Sequence, residues 1–453
     1  MKMNSRGKKM IARNRGFGLV EIMVGLMVGL ISMVVVMQVY SVFENQKRAT
    51  TTGSDAQTNG ALALYLMERE VRAAGNGMTE GEPHKYPPLA GCTTHFYDAT
   101  GAYLTPNATS PFVSTVVAAG TVSSVRLAPV VVSDGGGGLS DSLTIIYGTA
   151  TITAPYTTSG YTPGALAISL TGGSAGIGVN GQKDMVALIQ EDADSPNKLL
   201  YPNEKWKDYK TPTPCSLLQV TCPVSAAGCP STLTVPAGRY NKGGGTGLIP
   251  FADGTRLYNL GQLNLVTYRI NGSNLVADIS KFGVVPDGGV GTTVVNRTDF
   301  SPLASNIVNM QAQYGIDTGN GGVTNCKTTG PSLDTTDADS VVDAWVDATG
   351  QWANNGASTP SLFDLRRIRA VRIGLVARSG VKASGKADDP CNAVAPVIHW
   401  DSGADMTPDL SADADWQCYR YKVFQITIPI RNALWSSTMN PASTASCGVR
   451  DPS

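Results

Sequence analysis

The hydrophobic pattern divides the chain into one long apolar block, one short striped stretch and a long series of alternating runs. From Phe17 to Phe43 apolar residues continue over 27 positions, interrupted mainly by Glu21, Ser32, Gln38 and Ser41. A helix of that length reaches about 40 Å, enough to cross a bilayer. The next stretch changes period. Ala63, Met67, Val71 and Ala74 recur every three or four residues, with Glu68, Arg69 and Arg72 largely off their stripe. The helix is therefore expected to continue as an amphipathic segment whose stripe packs under the domain that follows. Gly53 and Gly60 interrupt this part. Each weakens a helix by about 1 kcal/mol, so a break near 52–54 is expected. Gly75 and Gly77 read as stop signals.

Beyond residue 78 the signals are strands and turns. Strands are expected at Ser124–Val132, Ser142–Tyr147, Ala165–Leu170, Met185–Gln190, Leu217–Val220, Ile307–Tyr314, Ile368–Ala377 and Tyr419–Ile430. Leu263–Ile270 and Ser273–Ile279 flank Asn271-Gly272. Asn-Gly between two apolar-patterned runs predicts a hairpin, because both residues tolerate positive φ. In the last strand Phe424, Ile426, Ile428 and Ile430 alternate with Val423, Gln425, Thr427 and Pro429, a half-buried pattern. Pro429 argues for an edge or a strand end. Gly-rich runs at 134–138, 243–247 and 319–322, and most of 327–362, read as loops. The fold class is α+β: a long N-terminal helix, membrane-spanning in its first half, packed on a large, loop-rich, mainly antiparallel β head.

Composition supports that reading. Charged residues are only 15% of the chain, which suits a loop-rich β protein better than a helical cytosolic enzyme. Net charge is zero, but residues 1–16 hold six basic groups and no acid. Without them 29 basic residues face 35 acidic ones, a net of −6. A mildly acidic body has no electrostatic case for nucleic-acid binding. Eight cysteines (Cys92, Cys215, Cys222, Cys229, Cys326, Cys391, Cys418 and Cys447) all follow residue 90. An even count in an exported region reads as a disulfide set of up to four bridges, whose pairing the spacing does not give. A zinc site is disfavoured: Cys-x-x-Cys is missing, and His84, His95 and His399 are scattered.

Other chemical signals are weak. Gly172-Gly173-Ser174-Ala175-Gly176 matches the Gly-x-Ser-x-Gly elbow, but Gly178 and Asn180-Gly181 follow where a helix is needed. No phosphate loop or cofactor motif occurs. Acids cluster at Asp334, Asp337 and Asp339 and at Asp409, Asp413 and Asp415 without calcium-loop spacing, and read as solvated loop acids. No catalytic, cofactor or metal residue is assigned.

The N-terminus has three readings. A cleaved signal peptide has a shorter apolar core and a small-x-small exit, neither of which is present. A plain signal anchor fits the length but leaves Glu21 unexplained, since an ionisable group in an apolar span costs several kcal/mol unless paired. Arg15-Gly16-Phe17-Gly18-Leu19-Val20-Glu21 resembles the type IV prepilin signal. That resemblance implies cleavage between Gly16 and Phe17 by a membrane-embedded prepilin peptidase and N-methylation of Phe17. The new amine of one subunit then neutralises Glu21 of a neighbour, favouring one axial stagger. Gly25 and Gly29 form a small-xxx-small pair for close helix packing. Where many major pilins carry a helix-breaking Pro, this chain has Gln38.

The head resembles the PilW-like minor pilins. The carrying segments are 66–75, 141–145, 303–307 with 313–317, 368–375 with Arg378-Ser379, and 428–432. The expected organisation is a leader at 1–16, an assembly half-helix at 17–44, an amphipathic half at 45–75, and a β head in two parts, 76–230 and 231–453. The resemblance implies an inner-membrane protein with a single pass, a cytoplasmic N-terminus and a periplasmic head, which then enters the pilus. It implies partners among other minor pilins, the major pilin, the inner-membrane assembly platform and a large tip adhesin, and no enzymatic activity. Two alternatives stay open: a minor pseudopilin of a type II secretion system, and a signal-anchored periplasmic enzyme or ligand-binding protein.

Overall fold

The computed structural model describes residues 18–78, 89, 92–97, 122–151, 156–173, 176–178, 183–189, 214–222, 231–238, 240–241, 249–282, 302–317, 341–353, 368–383 and 391–432. One α-helix, α1, runs Leu19–Ala73. By contacts the chain divides into two units, residues 1–54 and residues 55–453.

The expected break near 52–54 is absent, because helix runs through Gly53 and Gly60. Glycine lowers helix propensity without removing an N–H or C=O, so the hydrogen-bond ladder can continue. The stop signals act as expected. Helix ends at Ala73, and Gly75 and Gly77 take φ of 75° and 78°.

Seventeen strands occur among the described residues. They are β1 Thr93–Tyr97, β2 Val122–Arg126, β3 Val130–Ser133, β4 Ser142–Gly148, β5 Tyr156–Thr157, β6 Ala167–Ser169, β7 Lys183–Ile189, β8 Pro214–Thr221 and β9 Thr232–Thr234. There follow β10 Arg256–Gly261, β11 Leu263–Asn271, β12 Asn274–Phe282, β13 Pro302–Ser305, β14 Ile307–Ile316, β15 Ala344–Val346, β16 Ile368–Arg378 and β17 Tyr421–Pro429. They form three sheets. The first has the order β2-β1-β8-β7-β10-β5, with β9 joining β8 to β6. The second is β13-β12-β11-β4-β3 and the third β15-β14-β16-β17. Among these strand pairs only β1–β8 is parallel.

Two differences from the sequence-based expectation are instructive. The expected strand Ser124–Val132 splits into β2 and β3, which lie in different sheets. Pro129 sits at the break and has no N–H for a ladder, while its carbonyl accepts the Ile146 N–H at 2.9 Å. The hairpin falls where expected, but its turn is one residue later. Asn271 pairs with Asn274, so Gly272-Ser273 is the turn. Gly272 has φ 60° and Asn271 no positive φ. Glycine alone at the first central position is the type II′ pattern. Pro429 ends β17, and β17 is the edge of its sheet.

The main core lies between residues 55–74, the end of α1 and the residue after it, and the sheets. Ala63, Met67, Val71 and Ala74 are fully buried. They join Ile145, Val266, Met310, Tyr314, Val371, Ile373 and Ile428 in one cluster. The uninterrupted apolar run of β7 has a simple cause. Met185, Ala187 and Ile189 face this core, while Val186 and Leu188 face a second one with Leu218, Val220 and Leu257. Gly60 fits here too. A Cβ at that position would lie 2.3 Å from the Phe424 ring. The glycine is therefore a close-approach point between helix and β17 as well as a weak helix former.

Candidate functional site

The candidate site is the apolar half of α1. It starts at Gly18, whose carbonyl accepts the N–H groups of Glu21 (3.0 Å) and Ile22 (3.2 Å). Glu21 stands in the first turn, where the helix dipole favours an anion. Glu21, Gly25 and Gly29 follow one another at i, i+4 spacing and so share a stripe. A side chain at Gly25 or Gly29 would meet nothing within 4 Å. The stripe is thus a carboxylate followed by a groove without side chains, open to a second helix.

Around that stripe every large apolar residue from Leu19 to Phe43 is more than half exposed. Leu19–Glu44 is long and apolar enough to cross a membrane. Its internal hydroxyls do not obstruct this. Ser32 Oγ donates to the Val28 carbonyl at 2.8 Å and Ser41 Oγ to the Gln38 carbonyl at 3.1 Å, which satisfies both groups without water. Among the described residues no ion pair reaches Glu21. Gly16 and Phe17, the expected cleavage and methylation positions, lie outside the described residues.

The head holds the second half of α1 by polar anchors that the sequence did not announce. Asn432 Nδ2 donates to the carbonyls of Ala73 (3.3 Å) and Ala74 (2.8 Å), capping the helix end. Gly75 N–H donates to the Ile146 carbonyl at 2.8 Å, and Gly148 N–H to the Asn76 carbonyl at 2.8 Å. The Gly-rich run 134–138 is pinned to β14. Asp141 accepts N–H groups from Gly135 (2.9 Å) and Ala312 (2.8 Å), and Gln311 Nε2 donates to the Leu139 carbonyl at 2.8 Å. Burial pushes the Asp141 carboxyl up to about 7, against the opposing pull of those two N–H donors.

The outer face of the third sheet carries a buried arginine. Arg372 lies 4.7 Å from the Trp345 ring and 4.5 Å from the Trp400 ring. It also donates to Gln313 Oε1 and to the Ser402 carbonyl, each at 2.6 Å. Desolvation lowers it to about 10, with Asp347 and Asp401 opposing. Two rings and two acceptors engage it, so it reads as a structural clamp for the segment over β16.

Residues 291–432 match the family model for type IV pilus-assembly protein W. The match supports a type IV pilus-related family and involvement in pilus assembly. It takes in β13 to β17 and ends at Asn432, the residue that caps α1. No curated protein and no solved structure matches the chain.

The remaining sequence candidates separate clearly. Cys92 bridges Cys215, tying the start of β1 to β8, and Cys391 bridges Cys418. Cys222 is also disulfide-bonded. Cys229, Cys326 and Cys447 lie outside the described residues, as do Ser174, His84, Asp334, Asp337 and Asp339. The second acid cluster is bound locally: Asp413 pairs with Arg378, Asp415 with Lys382 at 2.6 Å, and Asp409 accepts the Ser411 N–H at 2.8 Å. His399 pairs with Asp405 at 2.8 Å. Among the described residues no three His, Cys, Asp or Glu side chains are grouped to hold a metal.

Proposed function

We propose that this chain is a minor pilin that primes or supports type IV pilus assembly, acting by subunit packing and not by catalysis. The observation that carries the reading is an exposed carboxylate, Glu21, in the first turn of an apolar helix that has no counter-charge among the described residues. A charge at such a place costs several kcal/mol in lipid unless it is paired. The N-terminal amine of a neighbouring subunit, freed at Phe17 by cleavage after Gly16 and then methylated, supplies the pair. The Gly25 and Gly29 groove lets the two helices approach. The chain crosses the inner membrane once with its head in the periplasm, and its partners are other minor pilins, the major pilin and the assembly platform. The match over residues 291–432 supports the pilus over a secretion pseudopilus.

N-terminal sequencing and intact mass of the chain purified from its native host test the first step. The expected result is a mature chain beginning at N-methyl-Phe17. A chain that keeps residues 1–16 refutes the proposal. Glu21→Val tests the second step. It should be exported and trimmed yet fail to enter filaments, and wild-type piliation in that strain would refute the pairing mechanism.

A further inference from the structure

Three Asn-Gly pairs lie among the described residues: Asn59-Gly60, Asn76-Gly77 and Asn271-Gly272. This dipeptide can modify itself. The glycine peptide nitrogen attacks the asparagine carboxamide carbon, a C–N bond closes a five-membered succinimide, and ammonia leaves. Water then opens the ring at either carbonyl, giving aspartate or isoaspartate. The net change is one water consumed and one ammonia released, with no oxidant or enzyme. It needs a carboxamide free to turn, a glycine amide outside any hydrogen-bond ladder, and access for water.

The structure closes two of the three. Asn59 Nδ2 donates to the Ser305 carbonyl at 3.1 Å, and Gly60 lies inside α1, pressed against Phe424. Asn76 Nδ2 donates to the Gly148 carbonyl at 2.8 Å, and Gly77 is buried. The third is open. Asn271 and Gly272 are both exposed at the hairpin tip. Pairing of Asn271 with Asn274 leaves the Gly272 amide outside the ladder. A Cβ at Gly272 would meet nothing within 4 Å, so the ring has room to form. One residue on, Ser273 Oγ accepts from Arg378 Nη2 at 2.6 Å. A cation fixed there favours both the anionic nitrogen that attacks and the carboxylate that results.

We propose that Asn271 is a spontaneous deamidation site of the folded head, converting to aspartate and isoaspartate while Asn59 and Asn76 persist. The product places a carboxylate at the tip, where it competes with Asp413 for Arg378. Isoaspartate also adds one main-chain atom to the tip and loosens the β11–β12 register. The inference stands on the turn geometry and is independent of the pilus reading.

The test is peptide mass spectrometry on the full-length chain, held folded in detergent at mildly alkaline pH and sampled over time. A parallel sample is held in denaturant. The peptide bearing Asn271 should gain the mass of an amide-to-acid exchange in the folded sample, as two chromatographically distinct products. Its folded rate should match or exceed its unfolded rate. Asn59 and Asn76 should be slowed in the folded sample by at least about tenfold, since each about 1.4 kcal/mol of protection against local opening is a factor of ten. An Asn271 that stays intact while folded overturns the proposal. So does equal folded-state conversion at all three positions, or conversion of Asn271 without isoaspartate.

Discussion

The two halves of α1 are one helix with opposite surroundings. Met27 is 68% exposed and Met67 fully buried, though both are methionines on the same element. From Asp55 onward the apolar stripe has its partner within the chain, in the inner faces of the sheets. From Leu19 to Phe43, apolar side chains face outward on all sides around a single carboxylate, Glu21. A stripe one face wide marks a helix that its own domain completes. A helix apolar all round marks one completed by lipid or by other helices. On the proposed function, the difference separates two jobs, holding the head together and joining the assembly, along one continuous backbone.

The sharpest way to break that comparison is to make the same substitution in both halves. Met67→Ala removes a fully buried side chain from the main core and should cost about 2–5 kcal/mol of head stability. Met27→Ala should leave the head's unfolding unchanged. Thermal unfolding of the detergent-solubilised chain, followed by near-ultraviolet circular dichroism, reads both. Equal losses would mean that the first half is also packed on the head.

In the head, Asp141 makes stability depend on pH. Its folded-state carboxyl is raised to about 7 by burial, so between about 4 and about 7 the folded chain holds a proton that the unfolded chain has lost. Stability should therefore fall as pH rises through that window and level off above it, by on the order of 4 kcal/mol. Denaturant unfolding at several pH values measures the slope, and Asp141→Asn should abolish it. That variant should also be weaker at low pH. A carboxamide offers one accepting oxygen and a donor group where the N–H groups of Gly135 and Ala312 both need an acceptor.

These residues show what the sequence carries and what it does not. The stripe Ala63, Met67, Val71 and Ala74 was legible because a helix period reports a buried face directly. The strands β14, β16 and β17 were legible for the same kind of reason, and Pro429 even marked the edge. Glu21, Gly25 and Gly29 could be aligned from spacing alone. Asp141 could not be told from any loop acid, because its partners are backbone N–H groups supplied by the fold. Arg372 stood only as one residue of the expected strand Ile368–Ala377, since Trp345 and Trp400 reach it from separate segments. Gly60 showed its propensity cost but not its contact, because Phe424 lies at the far end of the chain. The hairpin was placed correctly and its turn one residue early, since Asn-Gly and Gly-Ser turns differ only in which residue takes positive φ.

Gly60 and Gly25 give a smaller but cleaner contrast. Alanine at Gly60 would drive a methyl group into the Phe424 ring, and overpacking of this kind costs about 1–3 kcal/mol. Alanine at Gly25 meets open space and should leave head stability untouched. Unfolding curves of the two variants should separate accordingly. Adding Phe424→Leu to Gly60→Ala should recover part of the loss, because the obstructing ring is gone. Failure of that rescue would place the strain elsewhere.

The smallest expected effect tests where the two jobs meet the matched region. Asn432 is the last residue matched, and it caps the carbonyls of Ala73 and Ala74. Asn432→Ala should cost about 1 kcal/mol, the net worth of an ordinary hydrogen bond. Asn432→Asp should cost more. It removes the donor and sets a negative charge against the C-terminal end of the helix, where the dipole already points negative. Melting temperatures ranked wild type, then alanine, then aspartate would show that the cap works as a donor to the helix end. Alanine below aspartate would show that Asn432 acts by filling space, and the link between the matched region and α1 would then rest on the apolar stripe alone.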